Sequence, residues 1–242
     1  MVNIKDNVKN VREQIAAAAK KSGREESDIL LVAVTKTRSA EEIVEAIKCG
    51  VVYLGENKVQ EITAKFEPVV ELLGDASVLP DVKWHMIGHL QSNKVKYIID
   101  KVDMIESIDS IKLAVEVDRR AKSIGRTVDV LIQVNAAEEE SKFGITIDET
   151  IPLIERVLDS CENISIKGLM SIAPIAEDPN DIRQYFSQVK VLFDKIATDM
   201  SAKNLEMKFL SMGMTHDFET AIEEGSNLVR IGTGIFGERT YS

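Results

Sequence analysis

Lys36 stands two residues beyond the apolar run 29–34 and continues the parity of Leu30, Val32 and Val34. A lysine desolvated at such a place has a lowered pKa and offers a free amine to an aldehyde. The plainer alternative is a strand-end lysine reaching into water. After the second apolar run stands Asn57, whose amide can donate to and accept from a ring substituent, or simply cap the following helix. His85 and His89 are four apart. Metal binding would need both on one helix face, but His85 falls in a strand and Gly88 separates the pair, so no metal site is expected.

Two later segments carry the signature of an anion site. Ser211, Gly213 and Thr215 give hydroxyl, glycine and hydroxyl before a helix that begins near Phe218. Amides of such a turn, together with a helix dipole, favour negative charge. After the last run come Gly232, Thr233 and Gly234, where missing side chains let the backbone approach a ligand. Ordinary turns would read the same way, but the coincidence of the two segments favours phosphate. Arg230 lies just inside the last apolar run. A buried arginine needs a partner, either a structural carboxylate or a ring nitrogen of a ligand.

These residues need elements to hold them. Apolar runs over 29–34, 51–54, 82–87, 104–108, 128–134, 164–170, 209–214 and 228–231 read as eight strands. Several are nearly continuous, as in parallel strands covered on both faces. Helical patterns lie between them over 59–73, 92–101, 111–123, 149–158, 181–202 and 218–224, and another runs from Ser39 to near Gly50. No helix is expected after the last strand. An additional N-terminal helix presents Ile4, Val8, Val11, Ile15 and Ala18 on one face and can cover the barrel wall there.

Alternating strands and helices mean parallel βαβ units. Eight of them in 242 residues fit one (β/α)8 TIM-type barrel, an α/β fold of roughly 250 residues. An open doubly wound sheet would show a G-x-G-x-x-G turn after the first strand, and Thr35-Lys36-Thr37-Arg38-Ser39 has no glycine. A single domain over 1–242 is expected, with a loop over 74–81. Barrels frequently bind phosphate through the loops after strands seven and eight, where both anion segments fall.

The net charge of −10 argues against nucleic acid and anionic membranes as general partners. Two cysteines give neither a disulfide framework nor a metal spacing, and no apolar run approaches a membrane span. The expectation is a soluble, cytoplasmic protein.

The segments 32–36, 54–57, 85–94, 142–144, 168–170, 210–215 and 229–237, in that order, resemble the pyridoxal-phosphate homeostasis protein family. Each is weak alone, and the set is specific and spans nearly the whole chain. The resemblance implies an alanine racemase-like barrel (fold type III of pyridoxal-phosphate proteins) and pyridoxal 5′-phosphate held as a Schiff base on Lys36. It implies phosphate contacts from Ser211, Gly213, Thr215, Gly232 and Thr233. It places Arg230 opposite the pyridine nitrogen and Asn57 near the ring. Thr215 stands where the family often has serine, and Lys58 where an aromatic is common.

An arginine has no proton to give the ring nitrogen, which points to a cofactor carrier rather than an enzyme with strong turnover. The absence of room for a second, racemase-type domain points the same way and makes a monomer the expectation. Apo-enzymes that need the cofactor are the expected recipients. Two rivals remain at this point: a racemase-like enzyme, and a cofactor-free sugar-phosphate enzyme using Lys36 on its substrate.

Overall fold

The computed structural model describes residues 3–74, 82–139, 142–174, 176 and 178–238. The loop expected over 74–81 therefore lies outside the described residues, except for Gly74. Eight parallel strands close into a barrel in chain order, β1 (Leu30–Val34), β2 (Tyr53–Glu56), β3 (Lys83–Met86), β4 (Met104–Ile108), β5 (Val128–Val134), β6 (Ile164–Ser171), β7 (Leu205–Ser211) and β8 (Leu228–Ile231). β1 and β8 close the ring with Val32 opposite Arg230. Around it run α2 (Ala40–Lys48), α3 (Val59–Leu73), α4 (Ile111–Ser123), α5 (Ile147–Ser160), α6 (Arg183–Asp199) and α7 (Phe218–Glu223). No described helix is long and apolar enough to cross a membrane.

Local chemistry sets the helix starts. Ser39 and Glu42 form a capping box at α2, and Thr146 and Glu149 form one at α5. The second box starts α5 two residues before the expected position. The additional N-terminal helix, α1 (Ile4–Lys21), buries Ile4, Val8, Val11, Ile15 and Ala18 as its periodicity predicts. Each of the four branched side chains contributes about 1.5–3 kcal/mol by leaving water.

Four expectations need correction. β2 starts and ends two residues later than 51–54, so Asn57 directly follows the strand. The helix expected over 92–101 is a 3-10 run over Ser92–Tyr97; its buried Val95 and the buried Ile98 after it are three apart, the 3-10 repeat. β7 is Leu205–Ser211 rather than 209–214. Exposed Glu206 and Lys208 disguise its first half, and Gly213, at φ +93°, turns the chain away after Ser211. A one-turn helix, α8 (Thr233–Phe236), does follow the last strand. It buries Ile235 and Phe236, and Asn7 of α1 donates to the Ile235 carbonyl at 2.9 Å.

The barrel interior is layered. Met104, Leu131, Met170 and Phe209 pack as one apolar layer. Side chains two apart on a strand share a face. The next residues toward the strand ends on that face are Glu106, Gln133 and Ser211, and the Arg230 guanidinium of β8 reaches Ser211. Glu106, Gln133, Ser211, Arg230 and the neighbouring His85 are all buried. A polar layer thus lies between the apolar layer and the mouth.

Candidate functional site

A cavity of about 210 Å³ opens at the C-terminal mouth of the barrel, the end where barrels place their chemistry. Val34, Lys36, Asn57, Ile87, Ile172, Met214, Thr215, His216, Arg230, Gly232 and Thr233 line it. A larger hollow of about 410 Å³ lies between α5 and α6. Its lining comes from α5 and α6 alone, with no residue from a strand end. The mouth cavity is small against the roughly 300–1,000 Å³ of ordinary ligand clefts, so it fits a compact ligand.

Six separate strand ends, those of β1, β2, β3, β6, β7 and β8, supply the lining. Lys36 is half-buried beyond β1, between Thr35, which is fully buried, and Thr37, whose φ of +65° is left-handed. Asn57 follows β2, and its Oδ1 is buried without a hydrogen-bond partner. A buried, unpaired amide oxygen is costly and fits a ligand donor in the cavity. Gly88 holds this turn, since a methyl built there would lie 2.3 Å from the Asn57 carbonyl oxygen. Gly88→Ala should therefore displace the Asn57 turn and lower stability by about 1–3 kcal/mol, read by chemical denaturation.

On the opposite rim the two expected anion segments meet. The Thr233 hydroxyl donates to the Thr215 hydroxyl at 3.1 Å, and the Gly234 amide lies 3.4 Å from the same oxygen. The first amides of α8 have no intrahelical partners. Gly232 faces Val34 of β1, where a methyl would touch the Val34 side chain at 3.4 Å. Ser211 and Gly213 do not line the cavity. Gly213 packs on α7, where a methyl would lie 2.7 Å from Ala221 Cβ. Ser211 is fully buried at the end of β7, beneath the mouth.

Arg230 forms the floor. Its guanidinium donates to the Ser211 hydroxyl and, at 2.9 Å, to the Ser171 carbonyl. Ser211 donates onward to Glu106 Oε2 at 2.6 Å, and His85 Nδ1 meets Glu106 Oε1 at 2.6 Å. Arg230 and Glu106 stand 4.0 Å apart. Burial pulls the Arg230 pKa below its usual value, opposed by Glu106 and Asp217. Burial pushes the Glu106 carboxyl up, but His85, Arg230 and Ser211 together outweigh it and hold the carboxyl below its ordinary range. Of the two partners the sequence left open to Arg230, the carboxylate is present as Glu106, and the arginine also lines the cavity.

The histidines have separate partners, His85 on Glu106 and His89 stacked on Phe143 with ring centroids 3.9 Å apart. Glu106 was not singled out from the sequence, although a lone charge inside the apolar run 104–108 is a sign of a buried ion pair. Glu56, fully buried at the end of β2, pairs with Lys65 of α3 at 2.7 Å, a contact between elements that no sequence spacing signals.

A parallel barrel with a lysine beyond β1 and paired hydroxyls on the last two loops defines a class of protein. The family described as "Alanine racemase, N-terminal domain" matches residues 3–240. The pyridoxal phosphate homeostasis protein of Aquifex aeolicus (strain VF5) is 41% identical over 99% of this chain and 100% of its own length. The chain belongs to the pyridoxal phosphate homeostasis protein family. Among solved structures, an unknown protein from Bifidobacterium adolescentis superposes with a TM-score of 0.90 at 41% identity, covering 96% of this chain and 94% of that one. PipY of Synechococcus elongatus PCC7942, with PLP bound, gives a TM-score of 0.81 at 30% identity, covering 97% of this chain and 100% of that one.

Proposed function

We propose that this chain is a pyridoxal 5′-phosphate-binding protein of vitamin B6 homeostasis, holding the cofactor covalently through Lys36 and passing it on. The observation that carries this reading is the convergence of Lys36, Asn57, Thr215, Arg230, Gly232 and Thr233 on one 210 Å³ cavity. The unpartnered Asn57 oxygen and the paired threonine hydroxyls fit the group's polar substituents. When bound, the cofactor supplies an electrophilic aldehyde carbon and a ring that can withdraw electrons.

In this reading the Lys36 amine supplies the covalent link. Thr215, Thr233 and the amides near Gly232 grip the phosphate. Gly213 shapes the turn that carries Thr215, and Ser211 anchors Arg230. Val34, Ile87, Ile172 and Met214 keep water from the ring. Arg230, which lines the cavity, would meet the ring nitrogen as a cation that does not yield its proton, and the group would then withdraw electrons weakly. That favours storage and release over turnover. Apo-enzymes requiring the cofactor are the recipients, and the whole chain serves as one barrel domain acting as a monomer.

The test is to add pyridoxal phosphate, record the visible imine band, reduce with borohydride and map the adduct by mass spectrometry. An adduct on Lys36 is expected. No band and no adduct would return the cavity to a cofactor-free reading. One observation favours a second reading, amino-acid turnover: the imidazole of His216 lines the cavity, and imidazole is the commonest general acid–base group. Sustained racemisation of a single amino acid, lost in Lys36→Ala, would replace the carrier reading.

A further inference from the structure

The backbone on both sides of Lys36 is gripped from behind the barrel wall by one cluster of charges. Lys65 of α3 places Nζ 2.7 Å from the Thr35 carbonyl oxygen, 2.7 Å from Glu56 Oε1 and 2.7 Å from Glu61 Oε2. An ammonium has three protons, and all three are engaged. Glu56 Oε1 also accepts the Thr35 hydroxyl at 2.7 Å, and Glu61 Oε2 accepts the Thr37 amide at 2.5 Å. The residue before Lys36 and the residue after it therefore end on the same three side chains.

Thr37 needs such a grip. A left-handed threonine costs on the order of 1–3 kcal/mol and persists where its surroundings over-determine it. The Glu61 bond to its amide is one such constraint. The cluster is also shielded: the Lys65 side chain is 12% exposed and that of Glu56 is 0% exposed. Burial pushes the Glu56 carboxyl up against the pull of Lys65 and Thr35. None of Lys65, Glu56 and Glu61 lines the cavity. They reach the cavity through the Thr35–Lys36–Thr37 backbone and, from Glu56, through the adjacent Asn57, whereas the hydroxyl pair belongs to the loops after β7 and β8.

We infer that Lys65, braced by Glu56 and Glu61, is a positioning residue that sets how readily the Lys36 amine reaches the aldehyde of the bound cofactor, and leaves the phosphate grip unchanged. This rests on the cofactor reading above. It separates covalent capture from phosphate recognition and assigns each to different elements of the barrel.

The test compares two ligands on Lys65→Met in the full chain. Pyridoxal phosphate can bond to Lys36. Pyridoxamine phosphate has the same ring and phosphate but no aldehyde. Affinity for pyridoxal phosphate should fall at least about tenfold, with slower growth of the imine band, while affinity for pyridoxamine phosphate stays within about twofold. Equal losses for both ligands, or no loss for either, would overturn the inference. Should the variant fail to fold because two carboxylates lose their cation, Lys65→Met with Glu56→Gln and Glu61→Gln removes the uncompensated charge and must show the same split. Introducing Lys65→Met into Lys36→Ala should leave the residual affinity unchanged, and a further drop there would also overturn it. If the unaltered protein gives no imine band or adduct, the parent reading fails. If it gives both and Lys65→Met matches it, positioning alone fails.

Discussion

Glu106→Ala should lower the unfolding free energy by about 3–5 kcal/mol, the usual cost of removing one partner from a buried ion pair. The carboxylate is fully buried and answers His85, Ser211 and Arg230 at once. Without it, Arg230 keeps its charge in the barrel interior with no anion behind it. Denaturant titration reads the loss, and a change below about 1 kcal/mol would show that the network does not stabilise the barrel. Glu106→Gln keeps the shape and part of the hydrogen bonding, so its loss should be smaller.

The same group sets an acid limit. Its folded pKa is depressed, so its contribution is complete above the unfolded carboxyl value, about 4.3. The contribution is lost as pH falls through the still lower folded value. The stability difference between the unaltered protein and Glu106→Gln should therefore shrink below about pH 4.

This network also marks the limit of what the sequence discloses. Eight strands and their order are legible because each buries a short apolar run, and α1 is legible because its apolar residues keep a helical period. The mouth residues follow, since a barrel places functional groups at strand ends. Ser211 shows where such reading stops. Its place in a hydroxyl–glycine–hydroxyl segment looks like phosphate recognition. Yet a strand ending at Ser211, and not beyond it, turns the hydroxyl toward Glu106 and Arg230. That outcome depends on register, and register depends on Glu206 and Lys208 being tolerated on the outer half of β7. The Lys65 cluster is harder still to see. It joins β1, β2 and α3, and nothing in the spacing of Thr35, Glu56, Glu61 and Lys65 says that their polar atoms meet.

Lys36→Ala should abolish the borohydride-fixed adduct entirely and weaken pyridoxal phosphate binding by about a hundredfold or more, roughly 2.7 kcal/mol. The argument is one of division of labour within the cavity. Thr215, Thr233 and the amides near Gly232 lie on the loops after β7 and β8, and Arg230 is fixed by Ser211 and Ser171. These groups sit on other loops and strands than the segment that carries Lys36, so phosphate and ring contacts should survive the substitution. Residual binding should then resemble that of pyridoxamine phosphate to the unaltered protein, because both lack only the covalent link. Arg230→Ala, by contrast, should weaken both ligands and shift the absorbance of the bound ring. A Lys36→Ala protein that still yields the same reduced adduct would place the attachment on another lysine. One that binds neither ligand would mean that Lys36 supports the whole cavity and not the covalent link alone.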